Sequence, residues 1–119
     1  MRSVTHNGHE ALTLLEQVLQ LHGEFRKSLE PIRVTPLQAG VLLYLQRHID
    51  ARVTDAAASL SVRLPTLTVV VNDLVGKRWV VRRRSVTDRR AVRLSLTRRG
   101  EVLARKIIDS IRAVKIHLD

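Results

Sequence analysis

Hydrophobic positions recur at spacings of three or four from residue 9 to residue 30. Ala11, Leu14, Leu15, Val18, Leu21, Phe25 and Leu29 fall on one stripe, which predicts a long amphipathic helix over 9–30. Leu12 and Leu19 widen that stripe beyond what one neighbouring helix covers. Two readings stay open: a central core helix, or a helix that also packs on a second subunit. Pro31 and Pro36 bracket a break, and Thr35-Pro36-Leu37-Gln38 then reads as a helix start. Thr35 is its N-cap, Pro36 its first helical residue and Gln38 the closing member of a capping box. This second helix is predicted to run to about His48 and to bury Val41, Leu42 and Leu45. Ile49–Val53 reads as one brief strand. Thr54-Asp55 is expected to cap a third helix, Ala56–Leu60, whose small residues permit a tight helix-turn-helix. After a turn at Ser61–Leu64, a fourth helix with Pro65 in its first turn runs to about Lys77. Leu67, Val70, Val71 and Leu74 point inward, and Thr66, Thr68, Val69, Asn72 and Asp73 outward.

The period then changes from 3.6 to two. Trp79–Arg84 and Ala91–Thr97 read as strands, the second with Val92, Leu94 and Leu96 inward and Arg93 and Ser95 outward. Ser85–Arg90 is the connecting tip. Thr97 caps a last helix, Arg98–Leu118, with an apolar stripe of Leu103, Ile107, Ile111, Val114 and Leu118. That stripe is about 30 Å long at ~1.5 Å per residue. A lobe of this size is not expected to cover it alone, so a partner helix is the expected cover.

Charge sharpens the picture. Residues 77–99 hold ten Lys or Arg against the single acid Asp88, a local charge of +9. Residues 1–62 carry six basic and six acidic residues, so the net +10 of the chain belongs to its second half. A solvated helix face mixes signs; this ribbon does not. A field so focused suits a polyanion, first of all nucleic acid. Only Phe25, Tyr44 and Trp79 are aromatic. Readers of single strands stack bases on several rings, so duplex DNA is the expected partner.

Other classes fall away. The 119 residues suffice for one compact domain. No apolar run approaches the roughly 20 residues of a membrane span. MRSVTHNGHE does not read as a signal peptide. The absence of cysteine excludes a disulfide scaffold and a Cys-ligated zinc site. The cytoplasm is the expected compartment. No Gly-rich phosphate loop, nucleophile elbow, HExxH helix or paired-carboxylate pattern occurs, so no enzyme is expected. His6, His9, His22, His48 and His117 lack a nearby acidic cluster and read as surface histidines, with His6 and His9 in an N-terminal tail; no metal is expected.

The order of elements is that of a winged helix-turn-helix, mainly α with a β-hairpin wing. Its DNA-binding lobe spans 35–97, and helices 9–30 and 98–119 are expected to form a dimerisation platform. In this frame the fourth helix fits a major groove and the hairpin tip a minor groove. Asp88-Arg89-Arg90-Ala91-Val92-Arg93-Leu94-Ser95-Leu96-Thr97, followed by Gly100, resembles the wing signature of the MarR family of bacterial transcription regulators. Leu37-Gln38-Ala39-Gly40-Val41-Leu42 resembles the start of that family's second helix, and Ala57 to Leu74 its helix-turn-helix. Two departures stand out. Arg78 occupies the position before the first wing strand where the family usually has Gly, and the sequence ends at Asp119, where family chains commonly continue into a further helix.

The resemblance implies roles residue by residue. Arg90, and secondarily Arg89, would approach the minor groove, with Asp88 orienting one of them. Arg82, Arg83 and Arg84 would meet phosphates, although three adjacent strand residues cannot all face one way. Thr66, Thr68 and Val69 would enter the major groove, with Arg63 and Leu64 just before them. Leu14, Val18, Leu103, Ile107, Ile111, Val114 and Leu118 would line the interface of a homodimer. The implied function is repression at a pseudo-palindromic operator, relieved by a small, often aromatic, effector. The alternative is a small basic winged helix protein that binds RNA or acts architecturally, without operator specificity.

Overall fold

The computed structural model describes residues 4–84 and 91–114, with residues 4–7 described by backbone alone. Helix α1, Val4–Leu29, begins five residues before the predicted start at 9, so His6 and His9 lie on a helix and not in a tail. A 3-10 turn, Glu30–Ile32, closes it, and Arg33 at φ 57 turns the chain into α2, Pro36–Arg47. The predicted capping box is present. Thr35 Oγ1 accepts from the Gln38 amide at 3.1 Å, and Gln38 Oε1 accepts from the Thr35 amide at 3.0 Å. Ala39, Val41, Leu42 and Leu45 of α2 are buried.

Strand β1 is only Ala51–Arg52, and α3, Val53–Ser59, follows it directly. The expected Thr54-Asp55 cap is not used. Arg52 occupies the N-cap without a side-chain hydrogen bond. The reason is tertiary: β1 pairs with the wing, which fixes where the extended backbone ends and the helix begins. The acid Asp55 still lies in the first turn, where the helix dipole favours it. Ala56 and Ala57 are buried, so small residues do bring α3 close. The chain then bends by 115° into α4, Leu64–Gly76, within the range of a helix-turn-helix.

The end of α4 is a Schellman motif. The Arg78 amide donates to the Val75 carbonyl and the Trp79 amide to the Leu74 carbonyl, at 3.0 and 3.1 Å. The motif places Arg78 at φ 63, a left-handed backbone that glycine adopts most easily. The departure from the family pattern thus falls on the one residue of this turn where a side chain is strained.

Strands β2, Val80–Arg84, and β3, Val92–Leu96, form the wing, and the sheet order is β1-β3-β2, all antiparallel. The predicted hairpin is therefore one part of a three-stranded sheet. Its inner face buries Ala51, Val80 and Leu94 against Leu42, Leu67, Val71 and Leu74. Thr97 caps α5, Arg98–Arg112, by accepting from the Gly100 amide at 3.1 Å.

The stripe on α5 has a different cover from the one expected. Leu103, Ala104 and Ile107 are buried in the protomer's own core, and Ile111 packs against it. Val114 is half-buried, and Leu118 lies outside the described residues. A run of uncovered apolar side chains lies on α1 instead. Leu12, Leu14, Leu15, Val18 and Leu19 are all more than half exposed. Helix α1 projects from the lobe, and the radius of gyration is 17.4 Å, against the roughly 13–14 Å of a compact chain of this length.

Gly100 has no room for a side chain, because a Cβ there would overlap the Trp79 carbonyl oxygen. Gly100→Ala is expected to lower unfolding free energy by about 1–3 kcal/mol through forced backbone shifts. Arg78→Gly is expected to raise it by about 1 kcal/mol, by relieving the left-handed strain. Urea titrations of both variants check the two signs.

Candidate nucleic-acid interface

Helix α4 presents two kinds of outward residue. Thr66, Thr68, Val69, Asn72 and Asp73 are all exposed, as the pattern predicted. The C-terminal pair is held by the protein itself. Arg82 Nη2 of β2 donates to Asn72 Oδ1. Gln38 Nε2 of α2 donates to Asp73 Oδ2 at 2.7 Å, and Lys77 Nζ lies 3.3 Å from the same oxygen. Lys77 also sits 5.2 Å from the centre of the Trp79 ring. The side chains of Asn72 and Asp73 therefore brace the helix against α2 and the wing.

The N-terminal half of that face is open. Val69 is 69% exposed, the most exposed large apolar residue of α4. Thr68 donates its hydroxyl to the Leu64 carbonyl at 2.9 Å, so its proton is used within the helix and its methyl and lone pairs remain for a ligand. Thr66 is exposed beside them, and Arg63 and Leu64 are exposed at the helix start. This surface suits the edges of base pairs: an apolar Val and a Thr methyl for thymine methyls, hydroxyl oxygens for polar edges.

The strand register resolves the three adjacent arginines. Arg82 stands opposite Leu94, and Arg84 opposite Val92. Cross-strand partners share a face, so Arg82 and Arg84 lie on the side that holds the core and α4. Arg83 stands opposite Arg93 on the outer side. Arg82 thus borders the cleft between α4 and the wing, and Arg83 does not. The tip with Asp88, Arg89 and Arg90 lies outside the described residues.

Sequence reasoning placed Arg82 near phosphates but missed its bond to Asn72, and left Asn72 and Asp73 simply outside. The available signal was their position near the end of α4, beside the wing that follows it. An open groove of about 490 Å³ also lies between Trp79 and the start of α5, lined by Arg98, Arg99, Val102, Leu103 and Lys106. No pattern in the sequence announced it. Among the described residues no three His, Asp or Glu side chains converge, and no described single helix is long and apolar enough to cross a membrane.

The model of the MarR family matches residues 34–91, which contain α2, α3, α4 and β2. The uncharacterized HTH-type transcriptional regulator YpoP of Bacillus subtilis (strain 168) is 31% identical over 102 residues, 85% of this chain and 72% of its own. The chain belongs to the MarR family. The HTH-type transcriptional repressor MdtR of the same organism is 28% identical over 103 residues, covering 87% of this chain and 66% of MdtR. The chain thus spans just under two thirds of that relative. The fold agrees: the transcriptional repressor CouR, solved bound to a 23-mer DNA duplex, superposes with a TM-score of 0.85 over 96% of this chain and 80% of its own, at 24% identity. The MarR family is one of transcriptional regulators and not of enzymes.

The brace between α4 and the wing has a measurable strength. Asn72→Ala and Arg82→Ala, singly and together, are expected to give a coupling of about 0.5–1.5 kcal/mol in a double-mutant cycle of unfolding. Additive losses would show that the two side chains act independently.

Proposed function

We propose that this chain is a sequence-specific, duplex-DNA-binding transcriptional regulator that acts as a homodimer on a pseudo-palindromic operator in the cytoplasm. The observation that carries the reading is the pairing of two surfaces. The open half of α4, Thr66, Thr68 and Val69, suits a major groove. Beside it stands the strongly basic wing, with Arg82 bordering the cleft between them. Arg90 at the tip would reach the minor groove, oriented by Asp88. The family's relatives support regulation, and MdtR is named a repressor. As a ligand-responsive repressor, the protein would take a small anionic effector in the groove between Trp79 and α5, where an indole and three cations meet.

The dimer would form chiefly through α1. Leu14 and Val18 are 61% and 53% exposed, next to Leu12, Leu15 and Leu19. A contiguous apolar face of this kind marks an interaction surface. A two-fold interface would bury it, with Ile111 of the last helix and Val114 just after it alongside. It would also set the two recognition helices about 34 Å apart, one turn of DNA. Leu103 and Ile107 would act from beneath, by holding α5 to the core.

Binding to duplex DNA is expected to weaken steeply with salt. With about eight phosphates neutralised per dimer, log K should fall against log salt with a slope near −7. Fluorescence anisotropy between low and moderate salt measures it, and a slope shallower than about −2 contradicts the phosphate-clamp reading. Leu14→Asp with Val18→Asp is expected to convert the dimer to monomer and to remove operator binding, though neither residue touches DNA. Sedimentation of the wild type as a folded monomer at micromolar concentration would defeat the dimer.

A further inference from the structure

The sheet register brings together three arginines from three strands. Arg52 of β1 pairs with Arg93 of β3, and Arg93 pairs with Arg83 of β2. Directly paired residues share a face. Arg52, Arg93 and Arg83 therefore form one transverse row on the outer face, opposite the face that buries Ala51 and Leu94. With strands about 4.8 Å apart the row is about 10 Å long at its base. It lies one residue pair below Arg84 and Val92, the last pair of the wing before the tip.

Like charges placed opposite one another destabilise a sheet, and among the described residues little offsets this row. Arg93 Nη1 donates to the Asp50 carbonyl at 3.2 Å, which fixes that side chain without neutralising it. The Asp50 carboxylate accepts from Ser95 Oγ at 3.0 Å. Among the described residues Arg52 and Arg83 have neither a salt bridge nor a side-chain hydrogen bond, and both are exposed. A flat, open row of this length suits a repeating anion rather than a small one. Duplex DNA carries one charge per about 1.7 Å of axis. The row also looks away from α4 and Arg82. Its phosphates would therefore belong to DNA beyond the segment read by the recognition helix.

We propose that Arg52, Arg93 and Arg83 form a second phosphate-binding surface on the outer face of the wing, which grips duplex DNA flanking each half-site. The surface rests on the duplex-binding reading above and adds to it. It extends the footprint past the pseudo-palindrome, without sequence preference, and it recruits β1, a strand outside the hairpin. Arg52 and Arg93 join the phosphate-binding residues by register alone.

The test uses a duplex selected by the full chain from a random pool. It is either cut to its palindrome or extended by about ten base pairs at each end, roughly one helical turn. The wild type is expected to bind the extended duplex about tenfold more tightly than the trimmed one. Arg52→Ala should remove most of that gain and leave affinity for the trimmed duplex within about twofold. On the extended duplex the same variant should reduce the salt slope by about 0.9 for each phosphate it no longer neutralises. Arg52→Lys should restore most of the gain, since a point charge suffices for phosphate. Circular dichroism and melting confirm that the variants are folded. Arg93 is left in place because it holds the Asp50 turn. A wild type indifferent to flanking DNA, an alanine variant that keeps the length gain, or an equal loss on both duplexes would each overturn the proposal. A chain that selects no duplex at all would overturn the regulator reading as well, which separates the two failures.

Discussion

The junction between Trp79, Thr97 and Gly100 is the constraint on which the arrangement of the interface depends. Four elements meet within it: the end of α4, the start of β2, the end of β3 and the start of α5. The Trp79 carbonyl accepts from the Thr97 amide at 3.0 Å, and the Arg78 carbonyl accepts from Thr97 Oγ1 at 2.6 Å. The same Oγ1 accepts from the Gly100 amide, so one hydroxyl both caps α5 and holds the turn after α4. Gly100 lets the backbones close without a side chain between them. The Schellman motif at Arg78 then sets the direction in which the wing leaves the recognition helix. A left-handed Arg there costs on the order of 1–2 kcal/mol, which the bonds at the junction offset. The groove that borders Trp79 lies against this same junction. A ligand there would touch the piece that orients α4 relative to the wing.

Around that junction the protein separates its outward residues by use. On α4, Asn72 and Asp73 face outward yet bond to Arg82, Gln38 and Lys77, while Thr66, Thr68 and Val69 stay open. The brace makes the cleft between helix and wing a shaped surface rather than a hinge. On the wing, strand alternation divides the arginines between two faces, with Arg82 and Arg84 toward α4 and Arg83 and Arg93 away from it. The high local charge therefore describes two surfaces with different neighbours, not one patch.

The hydrophobic core belongs to the lobe, and α1 exceeds it. Leu29 at the base of α1 is buried, whereas residues 8–20 are exposed along the helix. Helix α5 meets the core through Leu103 and Ile107, and Ser28 of α1 donates to the Ser110 carbonyl at 2.7 Å, which ties the two helices at the root. What projects is a helix with apolar residues and no lobe beneath it. Most of a helix's stability comes from packing of its apolar face, so a partner that covers it would stabilise the helix itself as well as the assembly.

The local elements and their order were legible in the chain alone. The helix read from periodicity in α1, the capping box at Thr35 and Gln38 and the Thr97 cap all depend on neighbours a few residues apart, and each is present; in β3 only Leu94 is buried, with half-buried residues on either side. The ordered set of second-helix, helix-turn-helix and wing motifs resembled the MarR family, and the charge imbalance pointed to a polyanion. Whatever depends on residues distant in the chain was settled by packing. The start of α3 at Val53, in place of the expected Thr54-Asp55 cap, follows from β1 pairing with β3, some forty positions away. The cover of Leu103 and Ile107 is the protomer's own core, because α5 lies across α2. Amphipathicity shows that a face is buried but not by what. The roles of Asn72 and Asp73, the split of the arginines and the row of Arg52, Arg93 and Arg83 all require a register. A pattern of period two specifies which residues share a face within one strand, and only the pairing of strands specifies which charges stand side by side.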